Sequence, residues 1–391
     1  MGLRRLFKNV FRDKTPTVKY IRNLYDTKYG RTVLISYIVH PFLEDANFKH
    51  QNFVTAHIVA KSFSALEYDV DVVDFRAQVR ELDFCKYDVI FGFGNNFELS
   101  FYGTKPNVPK IHFITGAHTE LHNQTSLRSV FDFYNLTDLW LPSEANVSDH
   151  MEYYALYAST FSIILAEGFV FQDFKDRYQK KVYSLNNNIL GVFKDHKAKS
   201  IENRSQEFLF LSGGKQITKG LFYVLEIARY RKDLKFHVIV PNLDERMANH
   251  YADLWVPDSN VSLYVDIRMD SVVMRSVIES CSYCLAPSYI DGFPGGTIEP
   301  MAAGLIPIVS KYCGFPSRDF IFEMKDLTVS ALNLCIDNVL AMTDIEYLKK
   351  SREVKEYIMK EFSAPYVEQN LKNILSTELI KPKKSVGYYE K

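Results

Sequence analysis

The sequence predicts an α/β protein with two doubly wound domains, and three observations lead to this fold class. Short apolar strand patterns alternate with helical patterns along the chain, which is typical of sheets with helices on both faces. These patterns form two runs, separated by a polar stretch over residues 196–206. The 391 residues, 47% of them hydrophobic, are too many for one ordinary core and sufficient for two.

Each run contains several predicted strands. In the first run they cover residues 32–39, 70–75, 88–93, 111–115, 138–141 and 161–165, with a helix over 50–66 after the first strand. In the second run they cover 208–211, 236–240, 261–265, 283–286 and 306–309, with a helix over 221–230. We therefore predict one domain over residues 1–195, a second over 196–360, and a terminal helix and tail over 361–391.

Composition excludes several classes of protein. Lys plus Arg and Asp plus Glu both number 47, so there is no general positive field for nucleic acid. The odd number of cysteines, five, argues against a secreted disulfide framework and favours a reducing cytoplasm. Cys281 and Cys284 are interpreted as packed thiols, because the chain offers no second pair at metal-binding spacing. No signal peptide is evident, and the longest apolar run, 153–165, is too short to span a bilayer.

The first residues suggest contact with a membrane surface. Apolar and basic side chains fall on opposite sides of a possible helix within residues 1–14, which suits an anionic leaflet. A basic tail without that role explains the same pattern equally well. The protein is predicted to be cytoplasmic, with peripheral contact to the inner face of the cell membrane as a hypothesis.

The most informative segment is residues 287–310, PSYIDGFPGGTIEPMAAGLIPIVS. Gly295 and Gly296 follow a short apolar strand and precede what reads as the first turns of a helix. Free backbone amides and the helix dipole make such a start suitable for a diphosphate, and glycine leaves the approach open. Asp291 and Glu299 stand eight positions apart on either side of this corner. The two carboxylates are thus placed to bind hydroxyl groups on both sides of one pyrophosphate.

This segment resembles the acidic-x7-acidic signature of retaining glycosyltransferases with the GT-B fold. The resemblance implies that Asp291 holds hydroxyls of a donor sugar, that Glu299 holds the ribose of the nucleotide, and that the backbone of Gly295, Gly296 and Thr297 binds phosphate. The family usually has glutamate at the position of Asp291, and a carboxylate one methylene further back indicates either contact with a different sugar hydroxyl or a weakened site.

A second segment, residues 212–220, resembles the basic phosphate clamp of the same family. Lys219 and Gly220 fit its Lys-Gly pair at a helix start, where a lysine can neutralise charge on the leaving diphosphate. The usual arginine is not clearly present. Lys215 is its nearest substitute, one position out of register and without the fork of arginine, and Gly214 is expected beside it in the donor site. Taken alone, Lys219 would be a solvated lysine at a helix start.

Histidines and aspartates of the first half complete the prediction. His118 follows the strand at 111–115, where relatives keep a histidine facing the donor sugar. His40 is a second candidate that is better explained as an ordinary loop residue, His112 is expected in the core, and the role of His122 is left open. Asp69 and Asp71 imitate a metal motif but read as solvated carboxylates at a strand start, so no metal and no cofactor is predicted.

The resemblance implies two Rossmann-like domains that face a central cleft, with the terminal helix crossing back to the first domain. It also implies a metal-independent enzyme that moves a sugar from a nucleotide sugar to a hydroxyl of a saccharide acceptor, with retention of configuration. The basic start makes a lipid-linked saccharide of bacterial lipopolysaccharide or capsule the hypothetical acceptor. Three alternatives stay open: another GT-B enzyme, such as a phosphorylase or an epimerase; a non-catalytic partner subunit that binds nucleotide sugars; and a flavodoxin-like regulatory module, which gives no account of the signature.

Overall fold

The structure, a computed structural model, describes residues 18–43, 50–77, 79, 82–105, 107–148, 152–178 and 180–380. The possible membrane-binding helix within residues 1–14 lies outside this range. Of the helices in the described part of the chain, none combines the length and the apolar character that crossing a bilayer requires.

The first domain contains a seven-stranded sheet of order β1-β3-β2-β4-β5-β6-β7, in which only β1 is antiparallel. Its strands are β1 (Tyr20–Ile21), β2 (Thr32–Tyr37), β3 (Asp69–Asp74), β4 (Val89–Gly92), β5 (Lys110–Ile114), β6 (Phe161–Ile164) and β7 (Val182–Ser184). Its helices are α1 (Gln51–Ala65), α2 (Asn95–Gly103), α3 (Thr119–Thr137), α4 (Tyr153–Ala158) and α5 (Gly168–Tyr178).

The second domain contains a six-stranded parallel sheet of order β10-β9-β8-β11-β12-β13. Its strands are β8 (Glu207–Leu211), β9 (Lys235–Val240), β10 (Val261–Val265), β11 (Tyr283–Ala286), β12 (Ile306–Ser310) and β13 (Phe322–Met324). Its helices are α6 (Leu221–Tyr230), α7 (Glu245–His250), α8 (Val272–Ser280), α9 (Gly295–Ala302), α10 (Val329–Leu340) and α11 (Asp344–Glu361), and α12 (Ala364–Leu379) follows. This strand order reverses between β8 and β11, and ligands of such sheets bind at that point, outside the carboxyl ends of the strands.

Helix α12 crosses back to the first domain, as predicted. Val367, Leu371 and Leu375 are buried in the same apolar cluster as β2 and α1. In the other direction, Phe133 of α3 packs against Phe222 of α6 with ring centroids 5.4 Å apart. Apolar contacts on both sides therefore hold the two domains against each other.

The predicted elements differ from the structure in two ways: one predicted strand does not form, and three short edge strands were not predicted. Residues 138–141 do not form a strand, because α3 continues to Thr137 and Asp138 ends it in a left-handed conformation (φ 59°). The edge strands β1, β7 and β13 were not predicted, since two or three residues are too few to show a periodicity. Cys281 and Cys284 are buried free thiols, as expected.

Candidate active site in the interdomain cleft

Helix α9 begins at the carboxyl end of the second sheet, next to β8. No side chain caps this start, where Pro294 precedes the helix with φ −57° and ψ 127°. A Cβ atom on Gly296 would lie 2.0 Å from the carbonyl oxygen of Leu211, so only glycine lets the helix start so close to the strand. The amide of Thr297 donates to the carbonyl of Pro294 (2.9 Å) and is therefore already engaged. Of the three amides predicted to donate hydrogen bonds to phosphate, those of Gly295 and Gly296 remain, because a helix start leaves them without intrahelical partners.

Lys219 and Asp291 form an ion pair on the rim of this corner. The Lys219 ammonium donates to the Asp291 carboxylate, and Ser288 Oγ lies 3.4 Å from the same oxygen. Gly220 makes this pairing possible: its φ is +76°, and a Cβ atom there would lie 2.1 Å from the carbonyl oxygen of Pro287. The tight turn at Gly220 thus brings the two predicted residues, 72 positions apart in sequence, to one point.

Glu299 is buried, and its partner comes from the other domain. Its carboxyl group, 1% exposed, accepts a hydrogen bond from Gln51 Nε2 at the first residue of α1. Burial raises the pKa of Glu299 to about 8, although hydrogen bonds from the Leu190 amide and from Gln51 act in the opposite direction. The neutral acid is therefore the main form of Glu299 at pH 7. The Gln51 amide also lies against Gly295, because a Cβ atom there would be 2.3 Å from Nε2.

Two adjoining cavities follow the cleft. The first, named here the cradle pocket, has a volume of about 250 Å³ and surrounds the start of α9. The second, named the histidine pocket, has a volume of about 290 Å³ and opens between the two domains. Lys219, Asp291 and Gly292 line both pockets. Asp291 and Glu299 both line the cradle pocket, together with Gln51, Asn187, Ser212, Gly213, Gly295, Gly296 and Thr297.

His118 stands in the histidine pocket and caps α3. Its Nδ1 accepts a hydrogen bond from the Glu120 amide (3.2 Å), which leaves Nε2 to carry the proton of the neutral ring. Burial lowers the pKa of His118, so the ring is neutral at pH 7. His122 lines the same pocket. His112 is buried, as expected of a core residue, but it also lines the pocket, and its Nδ1 has no hydrogen-bond partner.

The structure does not bring Lys215 or Gly214 into the lining of either pocket. The ammonium group of Lys215 donates to the carbonyl of Ser143 in the first domain, and the backbone at Lys215 is left-handed (φ 53°). The loop is held there by Glu144, whose carboxylate accepts from the Ile217 amide (3.2 Å). Lys215 therefore joins the domains, and the second cation predicted for a diphosphate is missing from this position.

The aspartates that imitate a metal motif have structural partners. Asp69 accepts hydrogen bonds from Thr27 Oγ1 (2.7 Å) and from the backbone amides of Tyr29 (3.0 Å) and Gly30 (3.2 Å). Asp71 accepts from Tyr20, Tyr87 and Lys86. Within the described residues, one trio of potential metal ligands lies together, Glu207, His237 and Cys281. It is found at the amino ends of β8, β9 and β11, the opposite edge of the sheet from the cleft.

Comparisons with solved structures identify the architecture. The chain is similar to sucrose-phosphate synthase from Thermosynechococcus elongatus (TM-score 0.58, 12% identity, covering 89% of this chain and 99% of that one). It is similar to HepE from Anabaena in complex with UDP and glucose (TM-score 0.55, 10% identity, 89% and 99% covered). It also resembles WaaG, a glycosyltransferase involved in lipopolysaccharide biosynthesis (TM-score 0.54, 12% identity, 88% and 99% covered).

No protein-family model and no curated protein sequence matches the chain. The structural neighbours are GT-B glycosyltransferases, and the chain has the GT-B fold, with two Rossmann-like domains facing the cleft. At 10–12% identity the likeness concerns the fold alone.

Proposed function

We propose that this chain is a retaining, metal-independent glycosyltransferase that moves a sugar from a nucleotide sugar to a hydroxyl of a saccharide acceptor. One observation carries the proposal: Lys219, Asp291 and Glu299 line one pocket around an uncapped helix start, at the point where the strand order reverses. Sequence motifs 72 positions apart meet there. The likeness to a structure that holds UDP and glucose supports a nucleotide sugar as donor.

The geometry suggests how the donor would bind. Its two phosphoryl groups would sit on the amides of Gly295 and Gly296, with the helix dipole behind them. The ribose hydroxyls would bind Glu299 and replace the amide of Gln51 there. Lys219 would exchange part of its contact with Asp291 for an oxygen of the phosphate nearest the sugar. Asp291 would then bind sugar hydroxyls at the junction of the two pockets.

Transfer with retention would proceed through a loose transition state. The bond from the anomeric carbon to the phosphate oxygen breaks, and the acceptor oxygen forms the new bond on the same face. The acceptor proton passes to the departing phosphate, whose charge Lys219 and the helix amides stabilise. The carboxylates of the histidine pocket support this path, because Asp291 is paired with Lys219 and Glu152 accepts from the Thr119 hydroxyl. Neither is poised as a covalent nucleophile.

His118 would contribute a neutral Nε2–H donor to the sugar, since its Nδ1 is occupied at the cap of α3. Closure of the domains would exclude water, the competing acceptor. The likeness to WaaG supports assembly of a bacterial surface polysaccharide as the setting. Cytoplasmic location with peripheral membrane contact through residues 1–14, and a lipid-linked acceptor, belong to the same proposal.

A ligand screen followed by one pair of lysine variants tests the proposal. UDP, GDP, dTDP, ADP and their sugars are compared by thermal shift, because a ligand that binds only the folded state stabilises it by about 2.7 kcal/mol at one hundred times its Kd. With the donor so identified, Lys219→Met should lower transfer by about a hundredfold or more. Lys215→Met is the matched control: it removes a lysine of the same loop whose ammonium contacts Ser143, and it should retain transfer.

The outcomes separate the alternatives. If Lys219→Met transferred sugar as well as the active control Lys215→Met, Lys219 would have no part in the reaction. Phosphate-dependent cleavage of a glycan would identify a phosphorylase, and interconversion of the sugar without acceptor an epimerase. Nucleotide binding without turnover across the donor panel would identify a partner subunit, which the position of Lys215 outside the site favours.

A further inference from the structure

Four exposed tyrosines cluster on the outer surface of the first domain, on α2 and α4. Tyr153, Tyr102, Tyr157 and Tyr154 are 76%, 74%, 63% and 38% exposed, and the neighbouring Leu99 is 48% exposed. Single exposed apolar side chains are ordinary, but contiguous groups of large rings mark binding surfaces. We name this group of five residues the tyrosine platform.

The rings of the platform are in contact with one another. Tyr102 and Tyr154 meet edge to face with centroids 5.1 Å apart, and Tyr153 and Tyr157, one helical turn apart, have centroids 6.0 Å apart. Beneath them, Phe101 stacks on Tyr154 at 5.3 Å. The tyrosines thus form two ring pairs, one across α2 and α4 and one along α4, which meet at the neighbouring positions Tyr153 and Tyr154.

Short helix α4 is held firmly under the platform. At its start, the Glu98 carboxylate accepts from the backbone amides of Tyr154 (3.0 Å) and Ala155 (2.8 Å). At its end, the Lys180 ammonium donates to the carbonyl of Tyr157 (2.6 Å). Ala155 is buried in the core below. These bonds engage two amides at the start of the helix and one carbonyl at its end, so they hold the backbone that carries the exposed rings.

The platform is continuous with the histidine pocket. Glu152 and Leu156 line that pocket, and they alternate along the same segment with Tyr153 and Tyr157. From the pocket, α4 leads toward the amino end of β6, away from the cleft, with a rise of about 1.5 Å per residue. A chain molecule bound in the pocket could therefore extend along α4 and reach these rings.

We propose that the tyrosine platform binds the part of a saccharide acceptor that extends beyond the reacting sugar. This inference rests on the proposed function and adds a site to it. Pyranose rings have an apolar C–H face and hydroxyl edges, which match the ring face and hydroxyl group of tyrosine. A neutral saccharide fits better than an anionic membrane because the two lysines found next to the platform, one of them at the Phe101 ring beneath it, are held by groups of the protein. Lys180 donates to Tyr157 and Lys110 is buried over the Phe101 ring.

The test compares two pairs of exposed aromatic residues. Tyr153→Ser/Tyr157→Ser removes half of the platform tyrosines, whereas Phe131→Ser/Tyr134→Ser removes a matched pair on α3 that lines neither pocket (55% and 41% exposed). Each protein is applied without donor to an array of monosaccharides, disaccharides and longer bacterial surface oligosaccharides. Wild type should prefer the longer chains. The α4 pair should bind these about tenfold more weakly, whereas the α3 pair should bind them as wild type does.

Additional measurements exclude a structural effect and a lipid role. Tyr153→Phe/Tyr157→Phe keeps the ring faces and should restore most of the binding, and equal melting temperatures would show that every variant folds. Failure of wild type to bind any oligosaccharide, or equal binding by both serine pairs, would overturn the inference. Loss of cosedimentation with phosphatidylserine vesicles in the α4 pair alone would assign the platform to a membrane and would also overturn it.

The array measures binding without donor and without turnover, so the platform proposal can be refuted independently of the proposed function. If oligosaccharides bind through the platform but no donor is used, the transferase proposal is wrong and the platform stands. If transfer occurs with equal efficiency to short and long acceptors in wild type, the transferase proposal stands and the platform has no part in acceptor binding.

Discussion

Replacing Glu299 with glutamine separates the shape of the buried carboxyl group from its ability to ionise. Glu299 is 1% exposed and accepts from Gln51, and burial raises its pKa to about 8 from an ordinary value of 4.5. The glutamine side chain keeps an oxygen for the Gln51 amide but carries no titratable proton. The difference in unfolding free energy between wild type and Glu299→Gln should therefore depend on pH.

The sign follows from which state binds the proton. Between pH 4.5 and 8 the unfolded chain loses the Glu299 proton and the folded protein keeps it. The contribution of Glu299 to stability is therefore complete below pH 4.5 and is lost as the pH rises through about 8. Each pH unit corresponds to about 1.4 kcal/mol, and allowing for both ends of the titration the loss between pH 5 and pH 8 is about 3 kcal/mol.

Urea unfolding at pH 5, 6.5 and 8 measures this loss. Wild type should lose about 3 kcal/mol relative to Glu299→Gln across that interval, whatever the other groups do, because their contributions cancel in the difference. Glu353→Gln controls for removal of a carboxylate at the surface, where the Glu353 side chain is 36% exposed. A difference between wild type and Glu299→Gln that stays constant from pH 5 to pH 8 would refute the assignment of a neutral, buried acid at this position.

Two further predictions concern the helix starts at the cleft. Gly296→Ala places a methyl group 2.0 Å from the Leu211 carbonyl and should lower the unfolding free energy by more than about 3 kcal/mol. Gly295→Ala meets only the flexible Gln51 side chain, so it should lower the unfolding free energy by less than about 1 kcal/mol while weakening nucleotide binding. Urea unfolding measures the first quantity and calorimetric titration the second, and equal losses of stability in the two variants would contradict the tight packing at Gly296. His118→Asn keeps an acceptor for the Glu120 amide, since asparagine is a good helix cap. The melting temperature of this variant should therefore equal that of wild type, while transfer should fall about a hundredfold. Unchanged transfer would exclude His118 from the site.

Most of the fold could be predicted because its central strands are buried runs. Strand β11 and helix α6 were both predicted with the bounds that the structure gives, since every buried position there belongs to an apolar pattern flanked by glycine, proline or polar residues. The edge strands show why the rest could not be predicted. Val182–Ser184 is half-buried, three residues long and paired on one side, so its conformation comes from β6 and not from its own sequence.

The same division applies to the candidate site. Asp291, Gly295, Gly296 and Glu299 belong to one strand, loop and helix, so their spacing alone placed them around one corner. Gln51 escaped prediction because it reaches Glu299 across 248 positions, and no local pattern marks such a contact. The one available signal was its place at the start of the helix after β2, on the ligand-binding edge of the sheet.

Lys215 shows how contacts outside a motif place one of its residues. The motif placed a cation near the diphosphate, but a left-handed backbone at Lys215 turns the side chain toward Ser143. The direction of that turn is set by Glu144 and its bond to the Ile217 amide, a contact between domains. A loop that lies on an interdomain surface takes its conformation from both sides, and only one of them is in the motif.

The contacts between the domains also indicate which of them donor entry would disturb. Asn186, Asn187 and Asn188 are buried and join the two halves: Asn186 donates to the Glu361 carbonyl (2.9 Å), Asn187 to the Phe293 carbonyl (3.0 Å) and Asn188 to Thr55 Oγ1 (2.8 Å). Asn187 itself lines the cradle pocket, but the acceptors of these three bonds are two backbone carbonyls and one hydroxyl, and none of them belongs to Lys219, Asp291 or Glu299. In the proposed binding mode, a ribose displaces the Gln51 amide from Glu299, while the Leu190 amide keeps its hydrogen bond to the carboxyl group. A neutral hydrogen bond contributes about 1 kcal/mol to stability, so breaking the bond between Gln51 and Glu299 costs little. The hydrogen bonds of the three asparagines remain, and the cleft can therefore admit a donor without separating the domains.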